Sequence, residues 1–528
     1  MRRLFRALIA ITATTGLVTA CGGGGEANDN ATTTGGTFTM AQPGDPGVVD
    51  PYRNVISLEV SALAYDGLVN VTPDRKVVSG LAETWQTEAD STTFTLKAGI
   101  TCSDGTSLTA SQVAAALEFV KDPKNGSTLY GLLVPTIPFT VKADDSARTV
   151  TVTMEKPFGF VLETIGRVPI VCAKGMADPA MLKNASSGTG PFTLSEVVPG
   201  DHYTFTVRKG YTWGPNGAST DAPGTPSKVV IQVVANETTA ANLLLSGDVN
   251  LARISGADQD RMTAQNLKYM AITSRSGELW FNQRDKRPGS EAPVRKALTA
   301  ALNLDELARV STSGKGKRPT AIVGSDPKPC GADTLTGRLP AHDPAKAASL
   351  LDEAGWTVGA DGVRGKNGKP LRMDLHYSAG GEGGPATAEL VAKQWKAVGV
   401  EVKLTADDSK ALSRAMFETG DFDAFLVGLR FTMPYQVVPF VSGQVPPKGQ
   451  NFTGVDNADY QRLSTEAVRT SGDAGCALWN EAEQALFGNV DLVPFADLEV
   501  PFFLSGAEAQ TDGWLQMPIP TSIRLRSS

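Results

Sequence analysis

Few residue patterns in this sequence could carry covalent chemistry. A serine nucleophile on a strand–helix elbow needs G-x-S-x-G, and zinc hydrolysis needs two histidines one helical turn apart. Neither spacing occurs, and the chain holds three histidines, His202, His342 and His376. Gly314-Lys315-Gly316-Lys317 lacks the spacing of a phosphate loop and reads as a solvated basic turn. Asp407-Asp408 sits among polar residues and reads as a turn rather than an acid/base dyad. The sequence therefore assigns no catalytic residue, no metal site and no cofactor. A net charge of −7 offers nothing to a phosphate backbone, so nucleic acid is not an expected partner.

The five cysteines carry the clearest chemical potential. Arg2, Arg3 and Arg6 precede an apolar run of 12 residues, Ala7 to Val18. As a helix that run spans ~18 Å against the ~30 Å of a bilayer core, which describes a signal peptide and not a membrane span. It ends in Val18-Thr19-Ala20-Cys21, small residues before a thiol, which resembles the bacterial lipobox. That resemblance implies a diacylglyceryl group on Cys21 and removal of residues 1–20. Gly22 to Gly36 has no large apolar side chain and would form a tether with a reach of ~20 Å. The folded body is then expected from Thr37 onward, extracytoplasmic and lipid-anchored to the cell membrane. Four cysteines remain, Cys102, Cys172, Cys330 and Cys476, and in an oxidising compartment they allow three pairings.

The body reads as mixed α/β. Thr37 to Met40, Thr92 to Leu96, Thr149 to Met154 and Val229 to Val234 have strand patterns, and Leu279 to Asn282 is a short one. Thr109-Ala110-Ser111-Gln112 is a capping-box pattern opening a helix to about Val120. Asp343 caps a helix that Pro344 starts and Gly355 ends. Leu371, Met373, Leu375 and Tyr377 then alternate; Leu390, Val391, Trp395 and Val398 share a helical stripe; and Val400, Val402 and Leu404 alternate again. Strand, helix, strand in that length predicts a βαβ unit with parallel strands and a right-handed crossover.

Several segments, taken in order, resemble the family 5 solute-binding proteins of bacterial ABC importers, the oligopeptide, dipeptide and nickel group. They are Ala64-Tyr65-Asp66-Gly67-Leu68-Val69, Leu81-Ala82-Glu83-Thr84-Trp85, Phe94 to Ile100 with Ser103-Asp104-Gly105-Thr106 and Leu108-Thr109-Ala110, and Gly188-Thr189-Gly190-Pro191-Phe192. Leu244 to Val249, Val294 to Leu298, Asp343-Pro344 through Gly355-Trp356 and Gln394 to Val400 follow. The likeness runs from about Thr37 to Phe503.

It implies a bilobal type II (cluster C) periplasmic-binding fold with an extra subdomain and a hinged cleft. Carried onto this chain, lobe I is 37–75, 190–280 and 497–528, the inserted subdomain is 76–189, and lobe II is 281–496. The pairing Cys102–Cys172 and Cys330–Cys476 then keeps each bridge inside one lobe, worth ~4 kcal/mol each in the chain-entropy model; four buried free thiols are the alternative. Crossings between lobes fall near Trp280–Asn282 and Val493–Asp497.

For the ligand site, the expectations are Trp280 as a cleft wall and Asn282 beside it at the hinge, with the opposing choices of lobe core and backbone-satisfying residue. Asn54, Val55 and Ile56 lie in the loop that, in peptide-binding relatives, pairs its backbone with the ligand. Arg430, Phe431 and Tyr435 belong to Gly428–Tyr435, a segment that should reach the cleft mouth. Peptide-binding relatives often carry an acid here that captures the ligand's α-amine, whereas this chain has no acidic residue from Arg430 to Gln444. Arg430 could instead pair with a carboxylate or phosphate through its planar fork.

The expected function is a receptor, not an enzyme. A monomer captures a small molecule, most readily an oligopeptide or peptide-like one, by cleft closure, and passes it to ABC permease and ATPase subunits. An extracytoplasmic hydrolase, or a sensor or chaperone on the same fold, are the alternatives.

Overall fold

The computed structural model describes residues 32, 34–53, 60–324, 328–379, 383–512 and 518–526. The signal peptide, Cys21, most of the tether and the candidate contacts Asn54, Val55 and Ile56 lie outside the described residues. Among the described residues no helix is long and apolar enough to cross a membrane.

A ten-stranded mixed sheet runs through the molecule. From one edge its strands are Glu401–Asp407, Arg372–Ser378, Ala424–Leu426, Lys268–Phe281, Leu492–Leu504, Leu251–Arg253, Thr37–Gln42, Lys228–Val233, His202–Val207 and Phe192–Val198. The middle pair is by far the longest, 14 and 13 residues. They run antiparallel, with Lys268 opposite Leu504 at one end and Trp280 opposite Leu492 at the other.

The predicted βαβ unit is present. Arg372–Ser378 pairs parallel with Glu401–Asp407, Leu375 opposite Leu404, and the helix Gly384–Lys396 connects them. Its stripe buries Ala388, Val391 and Trp395, and Trp395 Nε1 donates to the Leu298 carbonyl at 2.9 Å. Thr109 caps Ala110–Lys121 by accepting from the Gln112 N–H, and Asp343 caps Pro344–Glu353 through the Lys346 N–H. The short strand expected over Leu279 to Asn282 is the end of the 14-residue strand Lys268–Phe281.

Buried apolar residues separate into two bodies. One gathers Phe38 to Met262 with Phe503 to Leu525, and the other gathers Leu279 to Val441 with Phe452 to Ala496. These are the two lobes. The two long strands pass from one body to the other, so they are what the lobes share. The first body also carries a separate antiparallel sheet of Ala82–Thr87, Ser91–Leu96, Thr149–Met154 and Phe139–Asp144. Each lobe holds one bridge, Cys102–Cys172 with Cα atoms 6.2 Å apart and Cys330–Cys476 at 5.1 Å.

Two of the sequence segments serve this packing. Asp66 accepts from Thr189 Oγ1, Tyr211 Oη and Trp213 Nε1 at 3.0, 3.0 and 3.2 Å. A Cβ at Gly188 or Gly190 would lie 2.3 or 2.4 Å from the backbone of Ala64. Both glycines are required because two backbone runs touch there.

Candidate functional site

The lobes meet in two places, and the space between them is where a ligand could be held. The first is the hinge. At Arg275–Glu278 the pairing of the long strands slips, and Gly277 sits against the Phe495 ring, where a Cβ would be 2.3 Å from it. A turn of the second lobe reinforces the crossing. Lys317 exchanges backbone hydrogen bonds with Asp497 at 2.9 Å each, and Lys315 Nζ donates to the Gly256 carbonyl at 2.9 Å. The Gly314–Lys317 run is thus a hinge turn bonded to the opposite lobe.

Trp280 and Asn282 belong to this hinge and not to a cleft wall. Both have 0% exposure. Trp280 Nε1 donates to Glu278 and to the Val427 carbonyl, at 3.0 and 3.1 Å. Asn282 Nδ2 donates to the carbonyls of Gly420 and Phe422, and its Oδ1 accepts the Arg284 N–H. Every polar group is spent inside the lobe. That corrects the assignment of both to ligand contact; alternation in the sequence marked a buried face without saying that the opposite lobe leaves it.

The second meeting place is a seam formed by the segment after Ala424–Leu426. Gln436 Oε1 accepts the N–H groups of Thr432 and Met433 at 2.9 and 3.1 Å, folding a turn that projects Met433 outward. Met433, 1% exposed, enters the apolar core of the first lobe. Its sulfur accepts from Arg75 Nη2 at 3.6 Å. Tyr435 Oη donates to the Leu132 carbonyl at 3.0 Å, and its ring lies 5.3 and 5.8 Å from those of Phe158 and Phe160. Phe431 is buried in the second lobe against Phe440, so it holds the segment from behind. Arg430 is exposed. The bridge Cys330–Cys476 underlies the seam, in one cluster with Trp479, Phe160 and Tyr435.

Charged groups gather on the first-lobe side of the seam. Arg167 pairs with Asp512. Burial, with Arg167 alongside, draws Arg75 down to about 10, while Asp512 and Glu163 act in the other direction. Burial likewise pushes the Glu163 carboxyl above its usual range, against the pull of Arg75 and Arg167. Next to them is a cavity of about 90 Å³ within the first lobe, lined by Tyr65, Asp66, Asn70, Arg167, Tyr211 and Asp512 among others. Sequence reading missed Arg75, Glu163, Arg167, Asp512 and Met433, because they stand far apart in the chain and no motif joins them.

A hinge, a seam and a mixed-charge rim make a clamp. Among the described residues no group of three or more His, Cys, Asp or Glu could hold a metal ion. Residues 76–446 match the family model of the bacterial extracellular solute-binding proteins, family 5. The chain belongs to that family. A relative, the glutathione-binding protein GsiB of Shigella dysenteriae serotype 1, is 26% identical over 97% of this chain and 96% of its own. The solved substrate-binding protein of Microbacterium hydrocarbonoxydans, complexed with 4-hydroxybenzoate hydrazide, superposes with a TM-score of 0.72, 25% identity and coverage of 93% and 99%. The oligopeptide-binding protein AppA of Bacillus subtilis, in complex with a nonapeptide, gives 0.73 at 20% identity, covering 94% and 100%.

The fold is therefore the type II periplasmic-binding architecture, and the chain is an extracytoplasmic solute-binding protein of an ABC importer. The family and these relatives are binding proteins and not enzymes.

Proposed function

We propose that this protein is a lipid-anchored receptor that closes its two lobes on a peptide-like solute and presents the closed form to an ABC permease. The observation that carries the reading is the pairing of a two-strand hinge with a seam on which groups from both lobes converge. A solute that touches both lobes binds the closed state more tightly and shifts the population toward it. Lobe I is taken as 37–75, 190–280 and 497–528, the subdomain as 76–189 and lobe II as 281–496.

Solute class is read from charge. Arg75 on the first lobe and exposed Arg430 on the second suit a carboxylate, and the Arg167–Asp512 pair beside them suits a ligand that carries both signs. A zwitterion of peptide size supplies both. Asn54, Val55 and Ile56 are proposed as backbone partners of an extended ligand, and Tyr435 as a side wall. Similarity to a glutathione-binding protein over nearly the whole of both chains supports this class.

Mass spectrometry of material released on denaturing the purified protein tests the reading. Recovery of a small peptide-like molecule supports it, and an empty protein unmoved by glutathione or short peptides in thermal melts overturns it. A ligand at a hundred times its Kd adds ~2.7 kcal/mol of stability. Replacing Cys21 with Ser should release the protein from membranes, and retention there would remove the anchor.

A further inference from the structure

At the level where both long strands change lobes, three charged side chains are sealed from water. Arg275 and Glu278 have no exposed side-chain surface, and Asp497 has 8%. Arg275 Nε donates to Asp497 at 2.5 Å and Nη1 to Glu278 at 3.1 Å. Its Nη2 donates to the carbonyls of Ala321 and Ile322 at 2.8 and 3.2 Å. The second oxygen of Glu278 accepts from Trp280 Nε1 at 3.0 Å and from the Leu429 N–H at 3.3 Å.

The neighbouring elements add further charge. From the helix Gly472–Gly488, Glu483 accepts the Ile322 N–H and the Thr334 hydroxyl, and it feels Arg275 and Lys328. The strand Leu492–Leu504 contributes Asp497, whose backbone is held by Lys317. The exit of Ala424–Leu426 contributes only the Val427 carbonyl and the Leu429 N–H.

One buried guanidinium thus serves three buried carboxyls, with Lys328 acting on Glu483 as well. Uncompensated negative charge is expensive there, so a carboxyl must take up a proton close to neutrality. Of the two carboxyls bonded to Arg275, Asp497 has the shorter bond, so Glu278 is the one that yields. Burial, against the pull of Arg275 and the Leu429 N–H, brings Glu278 up to about 7.

We propose that Glu278 is a proton-titrating positioning residue, which holds the segment Gly428–Tyr435 to the hinge through the Leu429 N–H by a charge-assisted bond when ionised and by a weaker, neutral one when protonated. Leu429 stands next to Arg430 and leads into the seam turn, so the proton on Glu278 governs how firmly that turn is seated. The inference relies on the solute-binding reading only in giving that seat a role in holding the solute; the titration itself does not depend on it. Acid then acts in two opposed ways. It relieves the buried charge and stabilises the fold, while it loosens the segment. A merely structural carboxyl would move both together.

The test uses the full chain labelled with ¹⁵N at tryptophan and at leucine, without added ligand, from pH 5 to 9. The Trp280 indole N–H is expected to titrate with a midpoint near 7 and the Leu429 amide to lose exchange protection, after correction for intrinsic rate, below the same midpoint. Glu278→Gln supplies an uncharged acceptor at every pH, so it should abolish both transitions and leave Leu429 at the weaker protection of the acid side. Should that variant fail to fold, Asp497→Asn removes the neighbouring negative charge and should lower the midpoint. No Trp280 titration between pH 5 and 9, Leu429 protection indifferent to it, or transitions unchanged in either variant would overturn the proposal. Because no solute is present, these outcomes are separate from a failure to find one.

Discussion

The hinge and the seam join the same two lobes by opposite means. The hinge is continuous backbone, 14 residues against 13, with a charged triad sealed inside it. The seam has one inserted methionine, a stack of aromatic rings and a few hydrogen bonds, among them Tyr435 to Leu132 and Gly159 N to the Val468 carbonyl. Breaking the hinge means breaking sheet ladders and exposing or orphaning charge. Parting the seam means returning a few apolar side chains to water, ~1.5–3 kcal/mol for a methionine. Motion should therefore concentrate at the seam, with the hinge as its axis, and the cost of opening lies within what a micromolar solute could reverse.

Changes on the hinge side should cost most. Arg275→Met leaves Glu278 and Asp497 buried without their cation, and removing one partner of a buried pair costs ~3–5 kcal/mol. Urea unfolding at pH 8 reads this, and a loss under ~1 kcal/mol would mean that the triad is not sealed. Met433→Ala acts at the seam, and a methionine-to-alanine change in a core costs ~2–5 kcal/mol, less where the site can collapse. Here it should also favour the open form, raising the radius of gyration in solution scattering. An unchanged radius would place the closing energy elsewhere. Tyr435→Phe removes one donor, with Gln436 Nε2 still 3.4 Å from the Leu132 carbonyl, so ~1 kcal/mol is expected and a smaller shift in the same radius.

The pH dependence distinguishes the two regions as well. A carboxyl raised from 4.5 to about 7 on folding binds its proton more tightly in the native state. Stability from that group is fully present below pH 4.5 and is lost as pH rises through 7. Relative to Glu278→Gln, the wild-type chain should therefore lose stability between pH 4.5 and 7 and run parallel to it above. Parallel curves throughout would remove Glu278 as the titrating group. Changes at Met433 or Tyr435 should leave this slope alone.

Local order was legible in the sequence and cross-chain geometry was not. The βαβ unit with its buried Val391 and Trp395, and the separate helix caps at Thr109 and Asp343, follow from spacing within each segment. The 14-residue strand from Lys268 was read only at its last residues. Its first half is half-buried or exposed, and its partner lies more than 200 residues away. Trp280 and Asn282 show the limit from the other direction, since a buried aromatic at a lobe crossing looks the same facing a cleft or a core. Arg275 and Glu278 drew no reading, and Asp497 marked only a lobe crossing; two opposite charges three apart, with Gly277 between them, was the signal available. Met433 lay inside the Gly428–Tyr435 segment expected at the cleft mouth, but nothing in the sequence singled it out there.

The most direct measurement is solution scattering on protein purified with its solute, then stripped by unfolding and refolding. Closure on a ligand predicts a larger radius of gyration after stripping, restored on adding back the released material. The same radius in all three states would contradict the clamp.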